Sequence, residues 1–193
     1  TATVGSITGG NVDMAGSGSG TLYFSVYNSA YAQNGKSTAG NVTIGDVSMS
    51  TGDSGYAYAY VYNSADANTG AATVGNLTVG DVHLHAGVNG DAYISGSNQG
   101  DTNKGAAGAG TVTFGDVKGW VGVDSDLRVD VYNYAFGTAG DVAGDLMIGD
   151  VDLYGSANAS VDFSVTLEAD NGSVGDVNIG DIKMRVENGG SLS

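Results

Sequence analysis

A chain of 193 residues has room for one ordinary domain or one short array. It carries 34 glycines, no proline, no cysteine and a formal charge of −15. The missing cysteines exclude disulfides and thiolate metal centres, and the excess of acids argues against nucleic acid and anionic membrane surfaces as partners.

The dipeptide Gly-Asp recurs along the chain. It stands at Gly45-Asp46, Gly80-Asp81, Gly115-Asp116, Gly149-Asp150 and Gly180-Asp181, with Gly10-Asn11 as a variant first copy. Successive copies are 35, 35, 35, 34 and 31 residues apart. A period of this length marks a repeat architecture, in which each unit buries its apolar face against its neighbours. The predicted repeats cover residues 4–38, 39–73, 74–108, 109–142, 143–173 and 174–193 of a single domain.

Within each repeat the elements follow one order. Another glycine precedes each Gly-Asp by five residues (Gly5, Gly40, Gly75, Gly110, Gly144, Gly175), and a short alternating strand lies between them. In the second repeat its inward residues are Val42 and Ile44. After the Gly-Asp corner, Val47 and Met49 continue the inward pattern one residue out of phase. That step calls for a bend, which glycine accommodates. A further strand follows with Ala57, Ala59 and Val61 inward and Tyr58 and Tyr62 outward. Period-2 alternation with β-branched residues is strand chemistry. Next comes an asparagine in four consecutive repeats: Asn28, Asn63, Asn98 and Asn133. The segment between it and the next glycine absorbs the length variation, as a surface loop does.

Like residues at a fixed period are expected to lie over one another. The predicted fold is therefore all-β, a parallel β-solenoid of about five and a half rungs of ~35 residues. The four asparagines then form an amide ladder. A hairpin-based sandwich or barrel is the competing architecture. A membrane barrel fits poorly, because one face is Ser, Thr, Asn, Asp and Tyr. No apolar run approaches the ~20 residues of a membrane helix.

Several columns invite a chemical reading. Stacked rungs bring Asp46, Asp81, Asp116, Asp150 and Asp181 within roughly 5 Å of one another, a candidate calcium column. Acceptance of corner N–H groups is the competing role, and it is favoured because the calcium β-roll pattern Gly-Gly-x-Gly-x-Asp is missing. A Thr column (Thr8, Thr43, Thr78, Thr113) has part of the Thr-x-Thr pattern of an ice-binding face, complete only at Thr111-Val112-Thr113. Asn41, Asn76, Asn158 and Asn171 open glycosylation sequons. His83 and His85 lack a third ligand and read as surface residues. The acids Asp91, Asp124, Asp126 and Asp130 come close enough to be weighed as a catalytic pair, and Arg128 is expected to meet Tyr93 and Asp162. No nucleophile–base pair accompanies them, so an enzyme is not expected, and no catalytic residue or organic cofactor is assigned.

The ends bear on function. Both terminal repeats keep the inward pattern, and an uncovered strand edge recruits another chain. Asp13 and Lys183 share one outward column, so head-to-tail stacking would set Lys183 against Asp13, with Arg185 beside them. A contact of this kind that does not close gives an open filament. The expected partner is therefore a second copy of this chain, with surface glycans on the tyrosine columns as the alternative. The start at Thr1-Ala2-Thr3, without Met or a basic leader, is expected of a secreted chain.

In its repeats, its apolar columns and its composition the chain resembles the broad class of bacterial extracellular β-solenoid repeat proteins, the adhesin stalks and curli-like matrix fibres. The curli pattern Ser-x-Gly-x-Asn-x-Ala-x-Gln does not match, so no site residue is carried over. The resemblance implies a cell-surface or biofilm-matrix role.

Overall fold

The rung is built from four strands. In the computed structural model, which describes Thr1–Ser193 throughout, the second rung runs through Ser37–Ala39, Val42–Ile44, Val47–Thr51 and Tyr56–Ala67. The next rung begins again at Ala72–Val74. Repetition gives 24 strands in four parallel sheets of six, here sheets 1 to 4 in the order the chain meets them. Strand partners are like residues 35 apart: Val42 pairs Leu77, which pairs Val112, and Asn28, Asn63, Asn98 and Asn133 follow one another. The fold is the predicted β-solenoid.

The long strand of sheet 4 faces the other three sheets. Its first half packs against sheets 2 and 3 in the main core, which holds Val42, Val47, Met49, Val61, Ile94, Phe114 and Leu127. Its second half packs against sheet 1 in a separate, smaller core of alanines with Val74. Alanine lets the two layers approach closely there, whereas Leu, Met and Phe hold them further apart in the main core.

The asparagine ladder stands between these cores, flanked in the second rung by Val61 and Ala65. Asn63 is fully buried and uses both of its side-chain N–H groups. One reaches Asn98 Oδ1 at 3.1 Å, and the other reaches the Gly40 carbonyl at 3.0 Å. Gly40 lies between the sheet 1 and sheet 2 strands, where the chain turns and its carbonyl has no strand partner. Asn28 and Asn98 repeat the arrangement on Gly40 and Gly110, and Asn133, with no asparagine beyond it, donates to the carbonyls of both Gly110 and Gly144. The ladder thus satisfies the Gly40, Gly110 and Gly144 carbonyls and joins the first four rungs. It ends where Leu167 pairs Asn133.

The Gly-Asp corners work by close approach rather than by unusual backbone angles. A Cβ on Gly80 would lie 2.3 Å from Asp46 Oδ1 and 2.9 Å from the Asp46 nitrogen. The aspartate of one rung folds over the glycine of the next and accepts the N–H of that rung's aspartate. Positive φ appears elsewhere, at Gly35, Gly70, Gly105 and Gly140 in the turn from sheet 4 to sheet 1. There the left-handed conformation selects glycine directly.

One expectation needs correction. The segment after the asparagine is not a surface loop. The sheet 4 strand continues for four residues beyond Asn63 to Ala67, and Ala72–Val74 then forms a sheet 1 strand. Only the turn between them is irregular, and the shortening falls there. In the fifth rung Asp141 repairs the change. It is fully buried, and its two oxygens accept the N–H groups of Ala107 and Asn171 on either side.

Asn98→Ala should destabilise the fold by about 3 kcal/mol in urea unfolding, because it strands buried polar partners on both neighbouring rungs. A change below about 0.5 kcal/mol would contradict a structural role for the ladder.

Candidate functional site

Outward residues divide the surface by chemistry. Ten of the eleven tyrosines point outward from sheet 4, at Tyr23, Tyr27 and Tyr31, at Tyr56, Tyr58, Tyr60 and Tyr62, and at Tyr93, Tyr132 and Tyr134. Strand alternation puts them on one side, and the rung spacing brings rings into contact. Tyr27 stacks on Tyr62 with centroids 5.0 Å apart, and Tyr23 meets Tyr60 at 5.5 Å. Acids share this face. Burial, then the carboxylate of Asp101, raises the pKa of Asp66. Burial, then Asp170, raises that of Asp101. Burial, then Asp91 and Asp162, raises that of Asp126.

Arg128 departs from expectation. It pairs with Asp130 on its own strand, Nε to Oδ2 at 2.8 Å, and not with Asp162. Its guanidinium lies 5.8 Å from the Tyr93 ring centroid. The Tyr93 hydroxyl donates to the same Asp130 oxygen at 2.9 Å, and burial is the first cause that pushes the Tyr93 pKa up to about 12. Asp130, on an outward position, is thereby covered to 1 % exposure. Asp91 and Asp126 do lie side by side, and Asp91 Oδ1 accepts the N–H of Asp126 at 3.1 Å.

The aspartate column has a clear structural occupation. Asp46 Oδ1 accepts from the Asp81 N–H at 3.0 Å, Asp81 from Asp116 at 2.9 Å, Asp116 from Asp150 at 3.0 Å, and Asp150 from Asp181 at 2.8 Å. Asn11 opens the series by accepting from Asp46. One oxygen of each carboxylate except that of Asp181, the last in the column, is thus committed to the backbone, and no group of three or more His, Asp or Glu side chains is arranged to hold a metal ion. Asn41 and Asn76, the neighbours of the threonine column, are used in the same way, accepting from Asn76 and Thr111. They are therefore not free to complete a Thr-x-Thr array.

The remaining candidate surfaces are the two end layers. In the inner rungs Val42, Val47, Leu77, Val82, Val112 and Val117 are fully buried. Their counterparts on the last rung, Val177 and Ile182, are 49 % and 51 % exposed. On the first rung Ile7, Val12, Met14, Leu22, Phe24 and Val26 are only partly covered. Asn28 Oδ1, the free end of the amide ladder, is buried without a hydrogen-bond partner. Asp13 and Lys183 lie at opposite ends of sheet 3 in one column, whose intermediate members are Ser48, His83, Lys118 and Asp152. Arg185 occupies the neighbouring outward position beside Tyr154. Sequence reasoning located these residues but missed Asp141 and the free Asn28 oxygen, both of which depend on side-chain geometry.

No family model, curated protein or solved structure matches the chain.

The raised acids make stability depend on pH in an unusual direction. An acid with a higher pKa in the folded state binds its proton more tightly there, so it opposes folding above the unfolded carboxylate range. The melting temperature should therefore rise as the pH falls from about 7 towards about 4.5. Asp101→Asn should raise it at pH 7 and flatten the profile. A melting temperature that falls steadily over this window would contradict the assignment.

Proposed function

We propose that this protein is the structural subunit of a secreted, self-assembling filament, built by head-to-tail stacking of terminal rungs. The observation that carries the reading is the pair of apolar end layers, which share one column pattern. Continuing the register would place Ile182 over Val12, Met184 over Met14 and Val177 over Ile7. Burying these side chains together is the driving force, at about 25 cal/mol per Å² of apolar surface removed from water. Backbone groups on the facing edges would extend sheets 1 to 3 without a break. Lys183 would meet Asp13, and opposite charges at directly paired positions favour the register. Sheet 4 would be interrupted by one layer, because its last strand is only Ser191–Leu192. An extracellular matrix role is part of this proposal, in keeping with the β-solenoid architecture and the composition.

The second reading is a monomeric glycan-binding module. Its specific support is the tyrosine face of sheet 4, where partly exposed rings and hydroxyls could meet sugar rings.

Electron microscopy and sedimentation of the purified chain separate the two. At micromolar concentration in physiological salt, which screens the charge of −15, the first reading predicts long unbranched fibres. A stable monomer supports the second. Lys183→Glu should raise the critical concentration roughly fivefold, the equivalent of ~1 kcal/mol for a cross-strand charge pair. The exchange Asp13→Lys with Lys183→Glu should restore it. Unchanged assembly in the single variant would remove the charged register.

A further inference from the structure

The net charge conceals a local inversion. Of the six Lys and Arg and two His residues, five point outward from sheet 3: His83, His85, Lys118, Lys183 and Arg185. Three of them, His83, His85 and Lys118, lie on adjacent rungs around a groove of about 330 Å³. The groove runs along the solenoid axis between two outward columns. Columns two residues apart on a strand are about 6.8 Å apart. The side chains fill part of that distance, so the groove is a shallow surface on which a ring can lie.

The two walls differ. On one side His83 and Lys118 face the groove, with Ser48 on the rung before and Asp152 on the rung after. Lys118 is exposed and takes no part in an ion pair, since the one such contact in the molecule joins Arg128 to Asp130. On the other side Trp120 stacks on His85, with centroids 4.6 Å apart and planes 13° from parallel. The Ser50 hydroxyl lies 3.3 Å from His85 Nδ1 and fixes the imidazole. Trp120 is still 38 % exposed. A large aromatic ring is thus held in place, partly in water, beside an exposed cation.

We propose that this groove binds a linear acidic oligosaccharide, a chain of hexuronic acid units lying along the solenoid axis. Its carboxylates pair with Lys118 and accept hydrogen bonds from imidazole N–H groups, its hydroxyls meet the serines, and the apolar faces and edges of its rings lie against Trp120. A second copy of this protein is a poorer occupant. The sheet 4 acids Asp66 and Asp101 are half-buried among neighbouring side chains, and so are less free to reach Lys118 than the carboxylates of an extended sugar chain. An acidic peptide lacks rings to lie against the indole. The site lies in the middle rungs, so it is independent of assembly at the ends. In a filament the groove would recur once per subunit.

Trp120 is the only tryptophan, so its fluorescence reports on this groove directly. The experiment titrates the full chain, at a concentration where it remains dispersed, with a hexagalacturonate. Parallel titrations use a neutral gluco-oligosaccharide of equal length and a glutamate hexapeptide. The expected result is a saturable change with the acidic sugar that weakens as salt rises. Lys118→Ser should weaken binding roughly tenfold, because a hydrogen bond to a charged group is lost. Serine is compatible with the fold at that position, since Ser48 holds it two rungs earlier. Trp120→Ser, whose counterpart is Ser50, should weaken binding when followed by calorimetry. Absence of a saturable response would overturn the proposal. So would equal binding of the neutral sugar, equal binding of the glutamate peptide, or an unaltered affinity in Lys118→Ser.

Discussion

A primary carboxamide has two N–H groups and one carbonyl, and this solenoid uses that inventory in a direction no backbone group covers. The backbone links rung to rung, and the apolar columns fill the two cores. Neither satisfies the carbonyls of Gly40, Gly110 and Gly144, which the turn between sheets 1 and 2 points inward. The asparagine column does so while bonding the first four rungs to one another. A buried carbonyl without a partner is expensive, and a shift of one residue would exchange Asn63 for its outward neighbours. The ladder therefore fixes register as well as stability.

The other repeated features follow from this register. Once rungs lie 35 residues apart, each corner aspartate sits over the next glycine and can reach one N–H. The same superposition aligns the outward columns. Tyrosines are gathered on sheet 4 and basic groups on sheet 3, although the chain as a whole is strongly acidic. It also means that a layer at either end presents the same apolar column pattern as the layers within. Such a surface differs from a conventional site. Under the proposed assembly, recognition would rest on a repeated column and not on a cluster of reactive groups.

The sequence shows this architecture because the repeat is visible in residue type. Val42, Leu77 and Val112, or the four asparagines, can be aligned without coordinates. The sheet 1 strands were hidden for a physical reason. Ser37-Thr38-Ala39 and Ala107-Gly108-Ala109 turn only small residues inward, since the thin core requires alanine, and so lack the bulky apolar alternation that announces a strand. Glycine at the Gly-Asp corner suggested backbone freedom, but the requirement is space for an aspartate belonging to another rung. Charge balance for the whole chain also hid the gathering of basic side chains at this groove. Only the outward alternation of sheet 3 brings His83, His85 and Lys118 together. Arg128 was assigned to the wrong acid because Asp130 and Asp162 are equally plausible on spacing alone.

The central claim is that residues 35 apart are vertical neighbours, and the native chain has no cysteine to complicate a direct cross-linking test. Ser29 and Ser64 lie in register with their hydroxyls 3.0 Å apart, while Gln99 lies one rung further on. The pair Ser29→Cys with Ser64→Cys should oxidise readily to an intramolecular disulfide. The pair Ser29→Cys with Gln99→Cys should not, because two rung heights put the Cα atoms about 9.6 Å apart, beyond the reach of a disulfide. Equal cross-linking of both pairs, or preference for the second, would contradict the account.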